Sequence, residues 1–319
     1  MVDLWRQKLR ENFTSWTELS HFLKLPLDVG VSPRFFPLNI PRRLVEKMEK
    51  GNPKDPLLLQ FLPTVKEDDK TEGFVKEPVS DQSFRLSPRL LKKYRDRVLL
   101  LPTSACVMNC RFCFRKNFPY ADQESISLEK ELHQIGQDTT IEEVILSGGD
   151  PLSLSNERLL QIVQQLNQFP HVKRLRFHTR YSIGIPERID EGFLDLIQAF
   201  SGIVYFVIHT NHPNEWDDEV LNAHTRLRKA GAILLSQTVL LRGVNDQIEI
   251  LESLCRYLVN GGIKPYYLHQ LDRVEGTAHF EVQREEGKAL IQELWSRLSG
   301  YGIPTYVEEI PFMAGKTPI

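Results

Sequence analysis

After Arg97 the chain settles into a repeating pattern. A short apolar run is followed by a polar turn, then by a stretch with apolar residues three and four apart. The apolar runs VLLLP (98–102), EEVILS (142–147), RLRFHT (174–179), IVYFVIH (203–209), ILLSQTVLL (233–241) and KPYYLHQL (264–271) have the length and composition of strands. Helical periodicity fills the gaps near 127–137, 155–167, 187–199, 215–230 and 246–259. A further helix is expected at 282–299 and a last short strand near 304–308. Apolar strands alternating with amphipathic helices predict an α/β fold with a parallel sheet and helical crossovers. Periodicity alone leaves an open doubly wound sheet and a full or partial barrel both standing. No internal repeat or low-complexity tract interrupts the pattern.

The first ninety or so residues read differently. Short helical patterns around Trp5–Leu25 and Pro41–Lys50 are broken by prolines and glycines, and the polar stretch 66–84 reads as loop. Composition adds limits. The chain has 319 residues, 26% charged and 41% hydrophobic, with net charge −2. That balance gives no sign of a general nucleic-acid or anionic-membrane binder. The start, MVDLWRQKLRENF, lacks an apolar signal region, and the longest apolar runs are too short to span a bilayer. A cytoplasmic, reducing setting is therefore expected, where clustered cysteines read as a metal or redox site.

Three of the four cysteines fall in SACVMNCRFCFRKNFPY (104–120), as Cys106, Cys110 and Cys113, spaced C-x3-C-x2-C after a strand. Structural zinc normally takes four ligands, and no fourth Cys or His lies nearby in sequence. Cys255 sits in an apolar helical stripe and reads as core. Three thiolates on a four-iron cluster leave one iron open to a ligand. A second strand, EEVILSGGDPL, runs into Ser147, Gly148, Gly149 and Asp150. Glycines there permit close backbone approach to a ligand, and the Asp can accept a hydrogen bond from an ammonium group. Each suspect residue follows a strand-like run, and parallel α/β folds gather ligands at the carboxyl ends of their strands.

The cysteine spacing with Phe112 before the last cysteine resembles the signature of the radical S-adenosylmethionine (SAM) superfamily, and SGGD resembles its SAM amino-group motif. YRDRVLLL (94–101), CRFCFRKNFPY (110–120), HTNHPNE (209–215), LLSQTVLLRGVND (234–246), PYYLHQLDRVEGTAHF (265–280) and GKTP (315–318) extend the resemblance to the lysine 2,3-aminomutase family. MEKGNPKDPLL (48–58) resembles its short bacterial branch, which supplies β-lysine for modifying elongation factor P. The resemblance implies a partial (β/α) barrel over 92–308, a mainly helical N-terminal extension over 1–91 and a C-terminal tail over 309–319. It implies a [4Fe-4S] cluster on Cys106, Cys110 and Cys113, with SAM on the open iron and at Ser147, Gly148, Gly149 and Asp150.

It further implies pyridoxal 5′-phosphate (PLP) held as a Schiff base by Lys316, with Arg97, Lys93 and Gln237 around the cofactor. Lys93 stands where longer relatives carry arginine. The glycine-rich run before Lys316 is only partly kept, as Met313-Ala314-Gly315. Arg115 matches the arginine for the substrate α-carboxylate; Asp272 and Glu309 match the two acids for the ε-ammonium. Two acids at the far end of the substrate suit a diamino acid. His209 and His212 are open between pocket lining and strand-end hydrogen bonding. The implied reaction is a 1,2 amino shift on lysine. Implied partners are lysine, elongation factor P with its lysyl-transferring ligase, and a second copy of the chain. Rival readings are the same fold acting on another amino acid, a radical SAM enzyme without PLP, and a non-catalytic iron–sulfur or zinc module.

Overall fold

The structure is a computed structural model that describes residues 3–27, 37–120, 127–313 and 315–319. Of the site readings above, only that on Ala314 lies outside the described residues. One ten-stranded sheet organises the chain, with its strands in sequence order from edge to edge. They are β1 (Arg85–Ser87), β2 (Leu90–Leu91), β3 (Arg97–Thr103), β4 (Glu143–Gly148), β5 (Arg174–Thr179), β6 (Ile203–His209), β7 (Ile233–Val239), β8 (Lys264–His269), β9 (Thr305–Glu308) and β10 (Thr317–Pro318). From β3 to β9 all neighbours are parallel. The hairpin β1–β2 and the tail strand β10 add antiparallel pairs at the two edges. Among the described residues β1 and β10 do not pair, so the barrel is partial.

Helices make the crossovers. The N-terminal segment carries α1 (Leu4–Arg10), α2 (Trp16–Leu23), α3 (Arg42–Glu46) and α4 (Pro56–Leu59). The barrel carries α5 (Glu129–Gln137), α6 (Asn156–Leu166), α7 (Tyr181–Gly184), α8 (Glu191–Ala199), α9 (Asp218–Lys229), α10 (Ile248–Asn260) and α11 (Arg284–Arg297). Several starts are written in the sequence. Ser155, Asp190 and Asp217 accept from the backbone N–H of Arg158, Phe193 and Val220, capping α6, α8 and α9.

Strand alternation then sorts side chains between two environments. Leu146, Phe177, Phe206 and Leu234 lie in register across β4 to β7 and are all buried in the main core. Phe193 of α8 packs on Phe177 and Phe206, so this row faces the helices. The intervening positions of β5 and β7, among them Arg176, His178 and Gln237, are only part-buried and line a cavity inside the barrel. The N-terminal helices share the same core, with Trp5 against Tyr181 and Phe13, Leu19 and Leu23 in the same cluster. Cys255 lies in that outer layer on α10, 3% exposed, as read from its stripe.

The expected strands and helices are present with ends shifted by a few residues. Three differences matter for the site. β8 stops at His269, so Asp272 sits in the turn beyond the strand. The stretch read as loop includes short 3-10 turns at Val65–Asp68 and Asp81–Phe84, and Val75 bridges to Val274. The tail turns back as β10, with Thr317 paired to Glu308. Two-residue strands such as β2 and β10 carry no periodicity, so only the sheet they join reveals them.

Candidate active site

One cavity of about 560 Å³ is lined by Cys106, Cys110, Cys113, Ser147, Gly148, Gly149 and Asp150, together with Lys93, Arg97, Arg115, Gln237, Asp272, Glu309 and Lys316. Every site residue expected from the sequence therefore meets in one place. The topology explains this, because the connections leaving the carboxyl ends of neighbouring parallel strands open on one end of the barrel.

The cysteine loop leaves β3 and is bound to the end of β4. Gly149 N donates to Thr103 O (2.9 Å) and Asp150 N to Ala105 O (2.7 Å). A Cβ on Gly149 would lie 2.3 Å from Ala105 O, and Gly148 adopts φ +108° with its own Cβ position 2.8 Å from Thr103 O. The glycines are thus demanded by the backbone of the cysteine loop itself, where the sequence suggested close approach to a ligand. Asp150 differs as well. Its carboxylate accepts from Leu152 N, Thr179 Oγ1 and Arg180 N at 2.8–3.0 Å. It fastens β4 to the end of β5 with these three donors, out of about four acceptor positions on a carboxylate.

The three thiols are pushed up by burial, Cys106 well above its ordinary value with Asp150 as the next cause, and Cys113 to about 11. Burial also raises Cys110, although Arg180 opposes it; Arg180 Nη1 donates to Cys110 Sγ at 2.9 Å. The other end of Arg180 donates to Gln60 and Glu215, both fully buried. Among the described residues no three His, Cys, Asp or Glu side chains converge on a single ion. A four-iron cluster asks for something else, one thiolate per iron at separate corners.

The opposite wall carries the acids. Glu309 accepts from Lys316 Nζ (2.9 Å), from Lys93 Nζ and from Tyr94 OH. Burial opposes its charge, but Lys316 and Lys93 together hold it below the usual carboxylate range. Lys93, expected at the PLP phosphate, is here committed to Glu309. Arg97 pairs with Asp96 (3.0 Å) and stacks on Tyr94, and Gln237 sits between His209 and Tyr267 in the strand register. Asp272 makes no side-chain hydrogen bond among the described residues. Burial raises its pKa to about 6.

Several cavity residues escaped the sequence reading, among them His178 and His269, while His209 takes the pocket-lining role left open for it. All three histidines line the cavity, and burial drives each far below its ordinary value, with nearby cations adding to it. They are neutral near pH 7. Among the described residues, the Nε2 atoms of His178 and His209 and Nε of Arg180 are buried without a hydrogen-bond partner. Orphaned donors and acceptors of this kind cost about 1–3 kcal/mol each and suit a site that takes polar cofactors. His212 lies outside the cavity, where its Nδ1 accepts from Asn214 N. His178 and Arg176 had a usable signal in RLRFHT, where the polar positions alternate onto one face. Asp81 and Arg180 had none.

The Radical SAM superfamily profile matches residues 100–254. An L-lysine 2,3-aminomutase of Escherichia coli (strain K12) is 38% identical over 99% of this chain and 94% of its own length. One from Haemophilus influenzae is 40% identical over 89% of this chain and 85% of its own length. One from Clostridium subterminale is 33% identical over 99% of this chain and 77% of its own length.

Proposed function

The chain belongs to the lysine 2,3-aminomutase family of radical SAM isomerases, and on that premise we propose that it converts α-lysine to β-lysine. The amino group moves from C2 to C3. The observation that carries this reading is one cavity holding three cysteines, a lysine paired to an acid, and a second acid with no hydrogen-bonding partner among the described residues. The family's cofactors are a [4Fe-4S] cluster, SAM and PLP. Bound here, the cluster with SAM supplies hydrogen-atom abstraction, and PLP supplies delocalisation for the migrating nitrogen.

The chain's own residues have separate tasks. Cys106, Cys110 and Cys113 hold the cluster. The strand end from Ser147 to Asp150 keeps the cysteine loop against the barrel and flanks SAM. Lys316 carries PLP, with Arg97, Lys93 and Gln237 on the cofactor's side of the cavity. Arg115 binds the substrate α-carboxylate by charge-assisted hydrogen bonds. Asp272 and Glu309 receive the ε-ammonium; Asp272 is the acid without a partner, and Glu309 is longer by a methylene than the aspartate common in the family. The barrel wall keeps solvent from the reacting carbons. The tie to elongation factor P and its lysyl-transferring ligase rests on the resemblance of the short chain to that branch.

The test is anaerobic turnover of the iron- and sulfide-reconstituted protein with SAM, PLP, dithionite and L-lysine, with products resolved by mass and chirality. β-Lysine from the wild type and none from Cys110→Ala is expected. Deoxyadenosine without any β-amino acid would keep the radical chemistry and remove lysine as the substrate.

A further inference from the structure

The reading above uses no side chain from residues 1–91, yet Val79, Asp81 and Leu91 stand in the cavity wall, and Asp81 is the charged one. Asp81 begins the 3-10 turn Asp81–Phe84, directly after Ser80 in the left-handed conformation at φ 52°. The strap around it is tied down, because Gln82 N donates to Glu77 Oε1 (2.6 Å) and Lys93 Nζ reaches Val79 O (3.4 Å). Asp81 Oδ2 accepts from Arg115 Nε at 2.8 Å, with the two side chains 11% and 10% exposed. Arg115 is held on two further sides. Its Nη1 donates to Ser147 Oγ (3.3 Å), and the Phe114 ring lies 4.6 Å from the guanidinium carbon. Nη2 makes no hydrogen bond among the described residues.

A guanidinium can grip a carboxylate with two parallel bonds along either of two edges. One edge uses Nε with one Nη; the other uses both Nη atoms. Asp81 takes Nε, which leaves only the second edge for a ligand in the cavity. We infer that Asp81 is a positioning residue, fixing the rotation of Arg115 so that its two Nη atoms meet the substrate α-carboxylate. This rests on Arg115 binding that carboxylate, as read above. It also gives the N-terminal segment a function, adding the Nε contact to the holds that Ser147 and Phe114 already place on Arg115. Charge argues the other way. A carboxylate beside Arg115 weakens its pull on a second carboxylate, so orientation and charge make opposite predictions.

Two variants separate them. Asp81→Asn keeps an oxygen acceptor for Nε and removes the charge; Asp81→Glu keeps the charge and displaces the acceptor by a methylene. Wild type and both variants, loaded with cluster and PLP, are titrated calorimetrically with L-lysine and with 1,5-diaminopentane, which is lysine without its carboxylate. The ratio of the two affinities reads the carboxylate anchor and is insensitive to general damage. Asp81→Glu is expected to lower the ratio about tenfold and Asp81→Asn to stay within about threefold. In turnover, Asp81→Glu should raise KM with little change in kcat. Ratios equal to wild type in both variants, a loss in Asp81→Asn as large as in Asp81→Glu, or a wild type that prefers neither ligand would each overturn the assignment. A wild type that shows the expected ratios but forms no β-lysine would instead remove the aminomutase reading and leave Asp81 in place.

Discussion

Asp272 and Glu309 line one cavity, and they are in opposite states. Glu309 is surrounded by cations and held ionised. Asp272 has no hydrogen-bonding partner among the described residues, and burial pushes it up to about 6. Both are carboxylates taken from water, so desolvation alone does not separate them. The difference is that β10 and the segment before β3 bring Lys316 and Lys93 onto Glu309, whereas among the described residues no donor reaches the Asp272 side chain. One acid is therefore engaged with the protein, and the other is free for a cation from outside. Lys316 sits on Glu309, the acid proposed to receive a substrate ammonium, so the lysine proposed to carry PLP and the substrate's terminal amine would share a partner.

The hardest break comes from Lys316→Ala. It removes the residue proposed to carry PLP, and turnover should fall by at least about a thousandfold. The visible absorbance of bound PLP should vanish with it, while Glu309 keeps Lys93. Retained absorbance would mean that PLP is held elsewhere.

Glu309→Gln should destabilise the fold. It strands Lys93, whose side chain is 11% exposed, and unfolding in denaturant should show a loss of about 3 kcal/mol. Asp272→Asn should do the reverse. A carboxylate raised from its ordinary 3.8 to about 6 opposes folding once ionised, so its removal should stabilise by about 1–3 kcal/mol at pH 7. The same change should raise KM for lysine about tenfold, a gain in stability at the expense of binding.

The two acids also differ in sign with pH. For Asp272 the folded chain holds the extra proton between pH 3.8 and about 6, so its contribution to stability declines as pH rises through that window. For Glu309, whose folded value is depressed, the contribution is present above 4.5 and is lost as pH falls. Lysine affinity should accordingly drop as pH is lowered through about 6 in the wild type. Asp272→Asn should flatten that drop; a profile unchanged by the substitution would move the responsible group elsewhere. The smallest effect is expected from His212→Ala. It loses a local cap worth about 1 kcal/mol, and turnover should stay within about twofold because the side chain lies outside the cavity.

Much of this site was legible before any coordinates. The three cysteines, SGGD and GKTP are short local patterns with fixed spacing; strand–turn–helix units carry the first two, and the tail into β10 carries the third. What stayed hidden depended on partners far away in sequence. The polar stretch 66–84 offered no periodicity, so Asp81 looked like any loop acid until Arg115 appeared beside it. Asp150 read as a ligand acceptor, and nothing local announced that Thr179 of β5 and Arg180 just beyond it also donate to it. His209 and His212 looked equivalent, and only their backbone directions divide them between cavity and turn.

The sequence by itself determined the strand–helix alternation, the three-thiol loop and the lysine near the chain end, because covalent spacing and side-chain periodicity are local properties. Tertiary structure decided that the sheet stays open with β1 and β10 at its edges. It decided that Gly148 and Gly149 serve the cysteine loop, and which of the two acids at the far wall is paired. Those outcomes turn on burial and on groups brought within hydrogen-bonding reach from separate segments, 216 residues apart for Lys93 and Glu309, where the low dielectric makes each pairing strong. No pattern along the chain encodes that proximity.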